Sequence, residues 1–600
     1  MKKKKIMQQL SSLLMRFIFW RERTIKERYF VLIVSFIVGV ATALAATLLK
    51  ELVHFLQHQV TNAAIERNYL YLIFPPIGIL VTAMIVRYVV RDDISHGVTK
   101  ILIAISQRKS RIKPHNMWSS ILSSSITIGL GGSVGAESPI VLTGAAIGSN
   151  LGRLFRLEQR NLMLLIGCGA AGAIAGIFKA PITGLVFVVE VLLLDLTLTS
   201  VLPLLTASVT SASLAYIMTG SKAMFSFYQS DPFVSSRIPY AILLGIFCGL
   251  IALYFSKLMF YLERRLKQVK LYGYRFLVSA IILSLLIVLF PPLYGEGYNT
   301  INSLLSGQYP AILDGSFFSS WSDSYWAVFA FLALILLFKV FASVATNSGG
   351  GCGGLFAPTL FVGALSGFVF SYVLNYFSFI KEYLPQKNFT LMGMAGMMSA
   401  VMHAPLTGVF LIAELTGGYN LFLPFMLVSL SSYLTIRIFM PHSIYSLRLA
   451  EQGKLVTHQK DKAVLTLMNL DSVIETEFRT VNPEMSLGDV VQVIGNSKRN
   501  VFPVVDTNNV LQGIVLLDNI RNIMFRPELY DRMHVSKFMV SPPGKIVSTM
   551  TMDVIMQLFD ETKAWNLPVI DENGCYLGFV SKSKIFNTYR EVLTQLSQGD

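Results

Sequence analysis

Long apolar runs separated by short polar or glycine-rich breaks occupy the chain from Tyr29 to about Met440, at 29–49, 69–90, 162–194, 240–261, 276–293, 326–344 and 421–439. Each is long enough to cross a hydrocarbon core about 30 Å thick, so the pattern predicts membrane helices. Several glycine-rich stretches between them are too interrupted to be ordinary spans. After Tyr445 apolar and charged residues alternate and no run is long enough to span, which predicts a soluble carboxy-terminal domain.

Composition agrees with that division. Hydrophobic residues make up 53% of the chain and charged residues 14%, against roughly a quarter charged in soluble domains. A soluble globular protein is excluded, and a polytopic membrane protein is implied. The net charge of +15 is densest at Lys2 to Lys5, Arg16, Arg21, Arg23, Lys26 and Arg28, just before the first apolar run. That is the positive-inside signature of a cytoplasmic amino terminus, here residues 1–28. No nucleic-acid recognition module accompanies the charge, so no nucleic-acid partner is expected. The run 29–49 exceeds a signal-peptide core and lacks a cleavage site, and is read as a retained helix. Cys168, Cys248, Cys352 and Cys575 are scattered without a C-x-x-C pair, which supports neither a disulfide framework nor a zinc site.

Two repeats organise the chain. In the membrane part, segment 131–144 aligns with 350–363, pairing Gly131 with Gly350, Gly135 with Gly354, Pro139 with Pro358 and Gly144 with Gly363. Further on, 180–190 aligns with 404–414 at Ala, Pro, Thr, Gly and Glu. Glycine-rich segments at corresponding places in two halves point to broken helices meeting near the midplane, where transporter folds place their sites. The alternative is that Gly and Pro only ease packing or kinks. In the tail, Pro503, Asp506 and Gly513 recur as Pro568, Asp571 and Gly578, each unit reading as strand, turn, strand, helix.

A dehydrated ion in lipid is costly, so something must replace its water. Gly135 to Pro139 and Gly354 to Pro358 each read as a helix start, where backbone N–H groups lack intrahelical partners and the macrodipole favours anions. Two such starts converging from opposite halves would hold an anion without a full positive charge. Glu137 would then compete for that place, blocking it when ionised and freeing it when protonated or displaced. The alternative is a carboxylate that satisfies N–H groups at the membrane surface. Glu190 and Glu414, each closing an apolar helix in its half, read as structural.

These residues resemble the CLC family of chloride channels and anion/proton exchangers, with a carboxy-terminal pair of cystathionine-β-synthase (CBS) domains. Gly135-Ala136-Glu137-Ser138-Pro139 is similar to the family's gate motif G-R-E-G-P. Gly354 to Pro358 is similar to its G-x-F-x-P motif, Ser443 to Ser446 to the segment with its pore tyrosine, and Ser95 to Thr99, with Gly97, more loosely to G-S-G-I-P. The resemblance implies an all-α polytopic membrane fold of two inverted halves with broken helices, followed by an α+β CBS pair. It implies domains at 29–448, 471–530 and 531–600, with a linker at 449–470. It further implies a homodimer in the lipid bilayer, of bacterial inner-membrane type, with cytoplasmic CBS domains and with chloride or other small anions as cargo. No enzyme activity, metal or required cofactor is expected. Glu137 becomes the gate, Leu355 and Phe356 the donors of backbone N–H groups to the anion, and Tyr445 the hydroxyl that completes the site.

Departures from the family pattern shape the functional reading. His96 stands where many relatives carry the anion-coordinating serine, facing either the pore or the protein, and Thr99 replaces a proline. Ala136 and Ser138 replace an arginine and a glycine. Val191 stands where coupled exchangers commonly carry an inner proton-accepting glutamate, so passive conduction gated by Glu137 is the first reading and proton-coupled antiport the second. The CBS position that many modules use toward a nucleotide ribose falls at Asn519 and Lys584, which weakens the expectation of adenine nucleotide binding and leaves a purely structural tail as the alternative.

Overall fold

A computed structural model describes residues 16, 18–21, 23–64, 70–92, 97–107, 110–193, 198–220, 225, 232–269, 271–377, 382–447 and 468–589. The chain forms two compact units, one up to Leu455 and one from Val456 onward. The proposed linker therefore lies largely outside the described residues, as does His96.

Nine helices among the described residues are long and apolar enough to cross a membrane. The apolar run 162–194 differs from its sequence reading because it holds two helices, Gln159–Phe178 and Pro181–Glu190. Lys179 closes the first in the left-handed conformation at φ 58°, and Pro181 opens the second, where its missing N–H costs nothing. The second half breaks in the same way. His403, at φ 54°, separates Gln386–Met402 from Pro405–Thr416. The run 69–90 is also mixed, with α-helix Leu70–Met84 continuing as a π-helix, Ile85–Val90.

The repeat is visible in the packing. Helix Glu137–Leu154 lies on Gln159–Phe178, and Phe356–Tyr376 lies on Gln386–Met402. In the first pair the contact passes through Gly144 and Gly169, where a Cβ on either would stand 2.1 or 1.9 Å from the other's carbonyl oxygen. In the second pair Gly363 and Gly393 meet likewise, at 2.7 and 2.3 Å. Apolar burial drives little helix association in lipid, so close backbone approach between small residues supplies the contact.

The two halves also clamp one another. Glu190, ending its helix, accepts the Leu406 and Thr407 N–H groups at 3.0 and 2.7 Å and the Thr407 hydroxyl at 2.7 Å. Glu414 does the same for Ile182 and Thr183, at 3.0, 2.8 and 2.6 Å. Each carboxylate thus satisfies the orphan donors at the start of the other half's helix, as their shared structural reading required.

The second unit holds two similar modules. The first contains an antiparallel hairpin, Val501–Val505 with Leu511–Leu516. The second contains Asn566–Ile570, paired with Tyr576–Ser581 and, in parallel, with Ile546–Val547. In both hairpin turns an aspartate folds the chain. Asp506 Oδ1 accepts the Asn508 and Val510 N–H groups, and Asp571 Oδ1 those of Asn573 and Cys575. The two turns join at Leu511 N–H to the Gly574 carbonyl, 3.1 Å, and Tyr576 N–H to the Asn509 carbonyl, 2.8 Å. An apolar cluster of Val505, Leu511, Ile514, Tyr576 and Phe579 fills the seam.

Candidate anion site at two helix starts

The two glycine motifs of the repeat meet directly. Gly135 N–H donates to the Gly354 carbonyl at 2.9 Å, and Gly354 N–H returns to the Gly135 carbonyl at 2.7 Å. The helices Glu137–Leu154 and Phe356–Tyr376 begin two residues beyond this bridge. Their first-turn N–H groups, which have no intrahelical acceptors, are therefore brought to one place. Glycine is needed on both sides. A Cβ on Gly354 would lie 3.0 Å from the Ser138 nitrogen, and one on Gly135 would lie 3.1 Å from the Ala357 nitrogen.

Beside the bridge is a small cavity of about 10 Å³, lined by Ser138, Met259, Gly353, Gly354, Leu355, Ile444 and Tyr445. A volume of that order holds roughly one water-sized particle. The Leu355 and Tyr445 expected to share a site do share this cavity, joined by Ser138 of the gate motif. The Phe356 ring is buried and stacks on Phe178 at 5.3 Å between centroids. The Tyr445 carbonyl accepts the Thr99 hydroxyl at 3.4 Å, which ties the pore-tyrosine segment to the helix Gly97–Gln107. Gly97 packs so closely on the gate helix that a Cβ would stand 2.6 Å from the Ser138 carbonyl oxygen. Pro139 and Pro358 both sit in the first turns of their helices, where a ring in place of N–H is tolerated.

Glu137 is 1% exposed. One carboxylate oxygen accepts the Tyr298 hydroxyl. The other is buried beside the bridge without a hydrogen-bond partner. Neither Tyr298 nor its neighbours stand out in the sequence repeat. Glu296 accepts the Ala136 N–H at 3.1 Å, next to Glu137. Gly297, at φ +89°, makes the turn into the short helix Tyr298–Ser306, and its Cβ would strike the Phe361 ring at 2.4 Å. Lys339, wholly buried in a membrane span, donates to Ser133 Oγ at 2.8 Å and to the Gly295 carbonyl at 3.3 Å. It also lies over the Phe361 ring at 4.7 Å.

Lys339 interacts electrostatically with Glu296, and Lys50 with both Glu296 and Glu137. A lone lysine in the apolar run 326–344 is itself a functional signal, since an intramembrane charge is expensive and survives where it is paired. Val191 is 5% exposed and caps the helix Pro181–Glu190. In the tail, Asn519 and Lys584 are both exposed.

A membrane unit of two related halves whose broken helices converge on one small cavity is the architecture of a transporter or channel. Residues 77–437 match the voltage gated chloride channel family, and residues 470–526 and 535–591 each match the CBS domain. The chain belongs to this chloride channel family, the CLC proteins, and carries two CBS domains. Among its relatives is a ClcB-like protein of Ralstonia nicotianae, 28% identical over 70% of this chain and 96% of that one. The H(+)/Cl(-) exchange transporter ClcA of Vibrio cholerae is 27% identical over 53% of this chain and 66% of its own. The voltage-gated ClC-type chloride channel ClcB of Escherichia coli is 30% identical over 51% of this chain and 69% of its own. A slow cyanobacterial Cl-/H+ antiporter shares the fold with a TM-score of 0.60 at 19% identity, over 72% of this chain and 99% of that one. A CLC-type fluoride/proton antiporter gives 0.58 at 23%, over 71% and 98%.

Proposed function

We propose that this CLC protein conducts chloride passively and that Glu137 gates the path. The carrying observation is the position of the Glu137 carboxylate, which lies buried where two helix starts from opposite halves meet, one residue from the cavity-lining Ser138. Leu355 and Phe356 N–H groups and the Tyr445 hydroxyl are the proposed anion ligands. His96 is a further candidate, and it lies outside the described residues. A buried valine at 191 carries no proton and supports the passive reading. The second reading, proton-coupled chloride or other halide antiport, has its own support in Glu296 and Tyr298, two titratable groups close around Glu137.

The proposal includes a homodimer, cytoplasmic amino and carboxy termini, and regulation by the CBS pair. Its domain limits are 1–28, 29–448, 449–470, 471–530 and 531–600. Asn519 and Lys584 leave neither CBS module a carboxylate at the ribose position, which weakens the case for adenine nucleotide as the regulator.

The test is chloride flux with simultaneous proton recording, in liposomes clamped by valinomycin and potassium. Chloride efflux without uphill proton movement is expected. Proton pumping in fixed proportion to chloride would replace the channel by an exchanger.

A further inference from the structure

A second cavity lies apart from the anion site and is far larger, about 720 Å³. Four membrane spans terminate around it: Leu70–Val90, Ser235–Gln268 and Tyr325–Ser348 by their ends, and Tyr272–Leu289 by its start. Its walls therefore stand at one boundary of the membrane, at the level of lipid headgroups.

Charge on those walls is one-sided. Arg87, Arg91, Lys267 and Arg275 face two carboxylates, Asp92 and Glu263. Asp92 is already committed to Lys113 at 3.1 Å and to His115 at 3.1 Å. Partial burial works against its ionisation, yet Lys113, Lys100 and His115 hold its carboxyl below the usual range.

Local contacts hold three of the four cations. The π-helix ends with Arg91 in the left-handed conformation at φ 54°, its side chain braced on the Tyr88 carbonyl at 3.2 Å. Tyr272 is flanked by Arg87 at 5.8 Å and Arg275 at 5.1 Å from its ring. Arg275 Nε and Asn347 Oδ1 are buried without hydrogen-bond partners. A buried guanidinium N–H left unmade is an expense that a bound acceptor would remove. Guanidinium groups gathered beside an aromatic ring at a headgroup-level cleft match a phosphate group, which they engage by charge and by paired N–H donors.

We propose that this cavity binds the phosphate of an anionic lipid headgroup, and that occupancy is felt at the anion site. Basic pockets between membrane helices on the cytoplasmic side are suited to such headgroups. The coupling route is short. Gly350 and Gly351 line the large cavity, while Gly353, Gly354 and Leu355 line the small one, so a single glycine loop forms a wall of both.

The test uses the full-length protein. Lipid retention is read by native mass spectrometry after exposure to mixed phosphatidylcholine and phosphatidylglycerol. Chloride flux is compared between vesicles of phosphatidylcholine alone and vesicles containing phosphatidylglycerol. The variants are Arg87→Gln combined with Arg275→Gln and, as a second pair, Arg91→Gln with Lys267→Gln.

Wild type should retain phosphatidylglycerol and change its flux severalfold between the two vesicles. Either variant pair should lower retention about tenfold and flatten the flux difference, while still conducting in phosphatidylcholine. Equal retention by wild type and by a correctly assembled variant pair would overturn the site. Retention without any flux difference would overturn the coupling. If inorganic phosphate added to phosphatidylcholine vesicles reproduces the effect and phosphatidylglycerol does not, the ligand is a soluble phosphate and the lipid assignment falls. Because retention is measured without transport, the retention outcome is independent of whether the protein is a channel or an exchanger.

Discussion

Glu137 is held by one hydroxyl and by the dipoles of two helix starts, with no salt bridge within 4 Å among the described residues. At longer range Lys50 interacts with both Glu137 and Glu296, and Lys339 with Glu296. A carboxylate held this way can yield to an anion, because its competitor is favoured by the same N–H groups and dipoles. Glu137→Gln or Glu137→Ala should raise chloride flux severalfold and remove most of its pH dependence, read as flux from pH 4 to 8. Unchanged flux and pH response in both would remove Glu137 from the gate. Tyr298→Phe deletes a hydrogen bond to a charged group, worth about 1.5–3 kcal/mol. It should raise flux about tenfold in the same assay, with Glu137 intact.

At the same scale in the tail, the exposed Asp506 accepts the Val510 and Asn508 N–H groups, which hold its carboxyl below the usual carboxylate range. A depressed folded value means that its stabilising contribution is present above the unfolded value of about 3.9 and is lost as pH falls through the folded one. Asp506→Asn should therefore melt below wild type at pH 7. That gap should close as pH falls below the unfolded value and through the lower folded one, as followed by the thermal transition of the CBS unit in the full chain.

Between elements, the reciprocal carboxylates are the clearest product of the repeat. Glu190 and Glu414 each accept three hydrogen bonds at the start of the opposite helix. Removing a comparable helix cap costs about 0.5–2 kcal/mol. Glu190→Ala and Glu414→Ala should each lower the midpoint of thermal unfolding, and by similar amounts, since their environments are matched. A large loss from one and none from the other would show that the two clamps are not equivalent. The alignment of 180–190 with 404–414 made both glutamates legible in the sequence as a structural pair. Their partners were not legible, because a carboxylate that caps a helix more than two hundred residues away leaves no local spacing to read. Tyr298, Glu296 and Lys339 were missed for the same reason. They come from a turn and from a separate span, neither of which belongs to the repeated motifs.

For the molecule as a whole, the proposed homodimer predicts a particle of twice 66.7 kDa of protein. Light scattering on the detergent-solubilised chain, corrected for bound detergent, checks it, and a monomeric mass would refute it. The amino-acid order alone determined the membrane character, the two related halves, the soluble tail with its own repeat, and the glycine motifs around Glu137, because apolar run length and recurring glycine and proline are properties of the chain read in one dimension. Only the tertiary structure decided that the run 162–194 breaks into two helices, that Gly135 and Gly354 bond to each other, and that Glu296, Tyr298, Lys50 and Lys339 gather near Glu137. Four cationic side chains from three separate spans and an adjoining turn meet in the same way around the second cavity. Such juxtapositions depend on which helix ends arrive together in space, and backbone approach between glycines and caps between the halves settle that after the chain has folded.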